Sequence, residues 1–94
     1  MPYFTYIIRC RDDTLYTGWT DDVDKRLAAH NSGVGSKYTR AKLPVELVYK
    51  EEHPSKSEAM RRERAIKKMS RAVKQCLIAT PLLVLEVSYI LRFF

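Results

Sequence analysis

Hydrophobic and polar positions alternate, then switch period, along the first third of the chain. Residues 3–10 (YFTYIIRC) are rich in aromatic and β-branched types and predict a strand, with Phe4, Tyr6, Ile8 and Cys10 on one face. Arg11-Asp12-Asp13 supplies turn chemistry, and residues 14–19 (TLYTGW) predict the returning strand of a hairpin. Gly18 inside that strand marks a bulge or a close approach by backbone or ligand. The period then becomes helical. Thr20 is a good N-cap, Asp21 and Asp22 complement the helix dipole, and the helix runs to about Asn31, with Gly33 and Gly35 beyond it. On this helix Val23, Leu27 and His30 share one side and Arg26 lies at its edge.

Residues 32–44 (SGVGSKYTRAKLP) read as a loop carrying Lys37, Tyr38, Arg40 and Lys42. Val45 to Glu51 alternates as a third strand, with Val45, Leu47 and Tyr49 on one face and Glu46, Val48 and Lys50 on the other; His53-Pro54 ends it. Ser55 or Ser57 caps a helix over KSEAMRRERAIKKM, whose apolar stripe is Ala59, Ala65, Ile66 and Met69, with Glu63 at its border. Ser70 caps a further short helix, RAVKQCLIA. From Pro81 the chain becomes almost wholly apolar (PLLVLEVSYILRFF). This tail is too short to span a membrane as a helix and suits a terminal strand, a helix covering an apolar patch, or a contact between copies of the chain. The expected organisation is one domain over residues 1–80 and an apolar tail over 81–94 of unassigned role.

Composition changes the picture in one respect. A hydrophobic share of 46% and a charged share of 30% are ordinary for a soluble globular domain, but the formal net charge of +6 is high for 94 residues. It favours a polyanionic partner, nucleic acid before an anionic membrane surface. The charge is densest between residues 54 and 76, where lysines and arginines face only Glu58 and Glu63. Cys10 and Cys76 have no metal-ligand or disulfide spacing and read as structural thiols in a reducing cytoplasm.

Four side chains stand out between Phe4 and His30: Tyr6, Tyr16, Arg26 and His30. A hairpin bearing two tyrosines beside a helix bearing arginine and histidine can surround one pocket. Tyrosine hydroxyls orient or deprotonate water, and arginine clamps phosphate and stabilises charge developing at phosphorus. One carboxylate such as Glu63 suffices to hold Mg²⁺, which keeps several waters and takes other ligands from substrate phosphate. Together these are the parts of a phosphodiester hydrolase. Each residue also has a plainer reading: the tyrosines as sheet aromatics, His30 as a packed histidine, Arg26 paired with Asp22, and Glu63 paired with Lys67.

The ordered set resembles a GIY-YIG nuclease domain, specifically the small bacterial single-domain branch, over about residues 3–78. Phe4-Thr5-Tyr6 corresponds to the first motif and Tyr16-Thr17-Gly18 to the second. The family's arginine falls on Arg26, ten residues after Tyr16, and a histidine found in several branches falls on His30. Residues 57–63 (SEAMRRE) resemble the metal-binding stretch, and GSKYT (35–39), LPVELVY (43–49) and AIKKMSR (65–71) resemble the small branch. Phe4 replaces the first motif's glycine, Trp19 stands where some relatives are basic, and no asparagine follows Glu63.

The resemblance implies an α+β fold, a small three-stranded antiparallel sheet flanked by helices. It implies an endonuclease using one divalent cation, Mg²⁺ or Mn²⁺, on nucleic acid, DNA first, with structure-selective action in repair or recombination. Tyr16 is then the general base or water-orienting group, assisted by His30. Tyr6 positions water or phosphate, Arg26 stabilises the transition state, Glu63 binds the metal, and Gly18 keeps the sheet surface open. Lys37, Tyr38, Arg40, Arg62 and Lys67 are expected to contact nucleic acid. The alternative is a catalytically weak nucleic-acid-binding module on the same scaffold; a third reading is an assembly role for the tail.

Overall fold

A computed structural model describes residues 2–79; the apolar tail expected from residue 81 lies outside the described residues. The elements are strands β1 (Tyr3–Arg9) and β2 (Leu15–Thr20), helices α1 (Val23–Asn31) and α2 (Lys37–Arg40), strand β3 (Glu46–His53), and helices α3 (Lys56–Lys67) and α4 (Arg71–Ala79). The strands form one antiparallel sheet in the order β2-β1-β3. This is the expected fold, with β1 central because its side chains find apolar partners on both faces.

Two clusters fill those faces. Tyr6, Ile8, Cys10 and Val45 are buried on one, with Tyr16, Leu27 of α1, Leu43 and Leu47 against them. Ile7, Ile66 of α3 and Leu77 of α4 are buried on the other, with Leu15, Val48, Tyr49 and Met69 around them. Thr5, on the α3 side, donates from Oγ1 to the Ala59 carbonyl at 2.8 Å, so the helix is tied to the sheet by a buried hydrogen bond as well as by packing.

Local chemistry explains the joints. Asp13 adopts a left-handed φ of 68°, a conformation aspartate tolerates, and the Cys10 amide donates to the Thr14 carbonyl across the turn at 2.8 Å. Asn31 holds the start of β3: its Nδ2 donates to the Val45 carbonyl at 3.1 Å and its Oδ1 accepts from the Val45 amide at 2.8 Å.

Four expectations need correction. Asp22, not Thr20, caps α1, because the carboxylate accepts from the Lys25 amide while Thr20 Oγ1 accepts from the Asp22 amide. The stretch 32–44 is not all loop, since Ser36 caps the single helical turn α2. Tyr49 does not share a face with Val45 and Leu47. The β1–β3 register slips between Ile7 and Ile8, which pair with Tyr49 and Leu47, so Val48 is an extra residue and reverses the alternation beyond it. Ala65 is exposed, leaving Ala59 and Ile66 as the buried face of α3. Of the two candidate caps, Ser55 is the one used, accepting from the Glu58 amide.

Candidate active site

The sheet and α1 bring Tyr6, Tyr16, Arg26 and His30 together. Tyr6 projects from the central strand and lies over Gly18, its partner on β2; a Cβ built at Gly18 would fall 2.5 Å from the Tyr6 Oη. The glycine is therefore what lets the phenol cross the sheet toward α1. There the Tyr6 Oη and His30 Nε2 are 2.9 Å apart, and Arg26 Nε donates to the same oxygen at 3.4 Å. His30 Nδ1 lies 2.9 Å from Thr39 Oγ1 of α2.

These contacts select one proton arrangement. Burial pushes the His30 pKa down, and the nearby Arg26 charge pushes it further, so the imidazole is neutral. Arg26 can only donate to Tyr6, and among the described residues His30 Nε2 is the one acceptor within hydrogen-bonding distance of the buried Tyr6 hydroxyl, so that hydroxyl donates onward to His30 Nε2. The proton of His30 is then on Nδ1 and is donated to Thr39 Oγ1, which can pass its own to the Ser36 carbonyl at 3.4 Å. Arg26, Tyr6, His30 and Thr39 thus form one directed chain. Burial raises the Tyr6 pKa, the Arg26 hydrogen bond opposes that, and smaller contributions from Tyr16 and then Glu63 raise it. The Tyr6 phenol is therefore neutral as well.

Arg26 is aimed from two sides. Besides Tyr6, its Nη2 donates to the Gly35 carbonyl at 2.9 Å. Gly35 approaches α1 so closely that a Cβ there would lie 2.7 Å from the His30 Cα. The pairing of Arg26 with Asp22 does not form at the side chain; only the backbone bond from the Arg26 amide to the Asp22 carbonyl joins them. The hydrogen bond that Arg26 donates to Tyr6 raises the Arg26 pKa, so the guanidinium is a fixed cation.

Exposure divides the set into two layers. His30 is 0% exposed and Tyr6 2%, whereas Tyr16, Arg26 and Glu63 are half-buried and reach the surface. The Tyr16 ring packs edge-on to His30, with centroids 5.3 Å apart, and stacks at 6.0 Å on Tyr38, which is 44% exposed. Lys42 covers Tyr38, its Nζ 4.1 Å from the ring centroid, and is held by Asp12 at 3.0 Å. Glu63 reaches the site electrically, since its charge is felt at Tyr6, while its carboxylate pairs with Lys67 at 3.3 Å.

The other expected contacts fall in different places. Lys37 and Arg40 are exposed on α2 beside Tyr38. Arg62 is engaged: its Nε donates to Glu51 at 2.6 Å, and Glu51 also accepts from Tyr49 and meets His53 at 3.0 Å, a network tying α3 to β3. Thr39 and Lys42 carry no assignment from the sequence, although Thr39 lies inside the GSKYT segment. The spacing of Ser36 and Thr39 was the available signal, since a serine cap accepts from the amide three residues on.

The GIY-YIG catalytic domain, taken as a family profile, matches residues 2–75. The chain belongs to the GIY-YIG family. It is similar to a UPF0213 protein of Natronomonas pharaonis, 52% identical over 77 residues that cover 82% of this chain and 91% of the relative. A UPF0213 protein of Staphylococcus haemolyticus is 54% identical over 72 residues, covering 77% and 88%. Among solved structures, the UPF0213 protein of Bacillus halodurans shares 47% identity with a TM-score of 0.55 over 84% of each chain. A protein of E. faecalis shares 36% with a TM-score of 0.60 over 88% of each. Membership of this family suggests nuclease activity, and with it a nucleic-acid substrate. Among the described residues no helix is long and apolar enough to cross a membrane.

Proposed function

We propose that this GIY-YIG chain is an endonuclease that hydrolyses phosphodiester bonds of DNA with one divalent cation, Mg²⁺ or Mn²⁺, held at Glu63. The observation that carries the reading is the directed chain in which Arg26 donates to Tyr6, Tyr6 to His30 and His30 to Thr39. It spends two buried aromatic polar groups on aiming one surface guanidinium. A guanidinium so fixed supplies preorganised charge where a pentavalent phosphate accumulates it. Tyr16, at the surface beside it, orients the attacking water, which releases its proton to solvent as the new P–O bond forms, while the opposite P–O bond breaks and its oxygen takes a proton from solvent. His30 and Tyr6 are positioning residues in this scheme, because burial keeps them from substrate.

Among the described residues no cluster of three or more His, Cys, Asp or Glu side chains exists, so a site built wholly of protein ligands does not fit. A single carboxylate that is 19% exposed does fit a cation that keeps its waters and completes its shell from substrate phosphate. When bound, such a cation polarises the phosphodiester and steadies the leaving oxygen. The setting that suits this activity is the cytoplasm, and the substrates that suit structure-selective repair or recombination are flaps, nicks and branches.

The decisive assay compares wild type and Glu63→Ala on flap, branched and single-stranded DNA with Mg²⁺ or Mn²⁺, with a thermal melt to confirm the fold. Cleavage is expected to vanish in the variant while melting is preserved; full activity in Glu63→Ala refutes the reading. One observation favours a second reading, a binding module that cleaves poorly: Lys67 already neutralises Glu63. That reading predicts salt-dependent binding with no cation-dependent cleavage from wild type.

A further inference from the structure

A cleft of about 490 Å³ opens beside the site, between α1 and α3 at the end of the sheet. Tyr3 of β1, Trp19 and Thr20 of β2, Asp21, Arg26 of α1 and Lys56 of α3 line it. Its two cations and two aromatic side chains come from four different elements. Arg26 is shared with the site already described, so the cleft is continuous with it. Lys56 stands over the Trp19 ring with its Nζ 5.1 Å from the centroid. Lys56 and Glu63 are seven residues apart on α3, hence on one face of the helix and about 10 Å apart along its axis. At about 3.4 Å per stacked nucleotide, that is within about three nucleotides of Glu63.

We propose that this cleft is a subsite for an unpaired nucleotide flanking the scissile phosphate, a proposal that rests on the nuclease reading above. The base stacks on Trp19 in the place Lys56 now covers, and Lys56 moves to the nucleotide's phosphate, facing Arg26 across the cleft. Asp21 disfavours phosphate at its own end and so directs the backbone toward the two cations. A base can use an aromatic platform of this kind only when it is out of a duplex stack. The cleft therefore selects single-stranded or splayed nucleotides next to the cleaved bond. This gives a physical origin for preference among flap, branched and fully paired substrates.

Trp19 is the chain's one tryptophan, so its emission reports on the cleft alone. The test titrates the whole protein with a short single-stranded oligodeoxynucleotide in EDTA, following tryptophan emission, and in parallel the anisotropy of the same strand carrying a dye. Saturable quenching with the anisotropy midpoint is expected. Lys56→Glu should weaken binding about tenfold, and Lys56→Gln should reduce the slope of log K against log salt by about 0.7. An abasic strand should bind with little quenching. The proposal is overturned if anisotropy rises while emission stays constant, if the Lys56 variants titrate like wild type, or if nothing binds at low salt. No cation is present, so the titration is independent of cleavage. Quenching by a protein that never cleaves sustains the subsite and sinks the nuclease reading, whereas cleavage without quenching sinks the subsite alone.

Discussion

Gly18→Ala isolates the close approach on which the site is built. In a strand with ordinary backbone angles this change normally stabilises, by about 0.5–1 kcal/mol, because alanine loses less conformational entropy on folding. Here the added methyl would meet Tyr6 at 2.5 Å from Oη and 2.7 Å from Cζ, against an ordinary contact distance that begins near 3.4 Å. The phenol must retreat by about 0.9 Å, but it is 2% exposed and lies between β2 and His30, 2.9 Å from Nε2. Overpacking of a filled interior costs about 1–3 kcal/mol, and a buried hydrogen bond left unmade about 1–3 kcal/mol more. The expected net loss is about 3 kcal/mol, which for a domain of this size lowers the melting temperature by more than about 10 °C. Urea unfolding followed by Trp19 emission measures it. The cost should shrink in a Tyr6→Phe background, where the closest atom is gone, though the 2.7 Å contact to Cζ remains. Cleavage should fall in the folded fraction too, since Arg26 takes its aim from the same oxygen. A Gly18→Ala protein as stable as wild type refutes the account of the close approach.

His30 predicts an acid limb in stability. Its pKa is lowered in the folded state, so above the ordinary value near 6.5 neither state is protonated and the contribution is intact; as pH falls through 6.5 the unfolded chain takes up a proton the native chain refuses, and stability is lost. The difference between wild type and His30→Gln should therefore slope by up to about 1.4 kcal/mol per pH unit below that point; a difference curve flat from about pH 7 to 5 contradicts the neutral buried imidazole. Asn31→Ala removes both bonds that hold Val45, at 2.8 and 3.1 Å, and should cost about 2–3 kcal/mol by denaturant unfolding. A loss under about 0.5 kcal/mol would mean that the start of β3 is held by packing alone.

How far the residues could be read depended on the range of the forces involved. The hairpin, α1, α3 and α4 were legible because periodicity and caps act within a few residues: Val23 and His30 are buried as the helical period requires, and Ser70 accepts from the Val73 amide at the start of α4. The reversal at Val48 was not, because it is a property of pairing with β1 rather than of the β3 sequence, which alternates regularly. The single turn α2 was hidden for a related reason. One helical turn repays little of its own ordering cost and persists through what it touches, here Thr39 against His30 and Tyr38 against Tyr16. Within the site, Tyr6, Tyr16, Arg26 and His30 could be singled out as polar groups at packing positions. Which of them face solvent could not, since that depends on Gly18 and Gly35 letting Tyr6 and the loop close over the imidazole.

That closure gives the buried layer its meaning. A neutral histidine and a neutral tyrosine inside a small domain are costly unless every donor and acceptor is matched. Here both imidazole nitrogens have partners, and the Tyr6 oxygen both donates and accepts. Such a network has one favourable arrangement, and slipping any member leaves a buried group unpaired. A core needing only apolar volume at Tyr6 and His30 would be met better by Phe and Leu, with no such risk. What the polar version adds is direction: the chain ends on the one charged member that reaches the surface, Arg26, and fixes it from Nε while the Gly35 carbonyl fixes Nη2. A surface arginine otherwise samples many rotamers and loses that freedom only on meeting an anion. An arginine restrained beforehand binds a phosphate in one orientation, which is the property that distinguishes a site built to act on phosphate from a basic surface that merely attracts it.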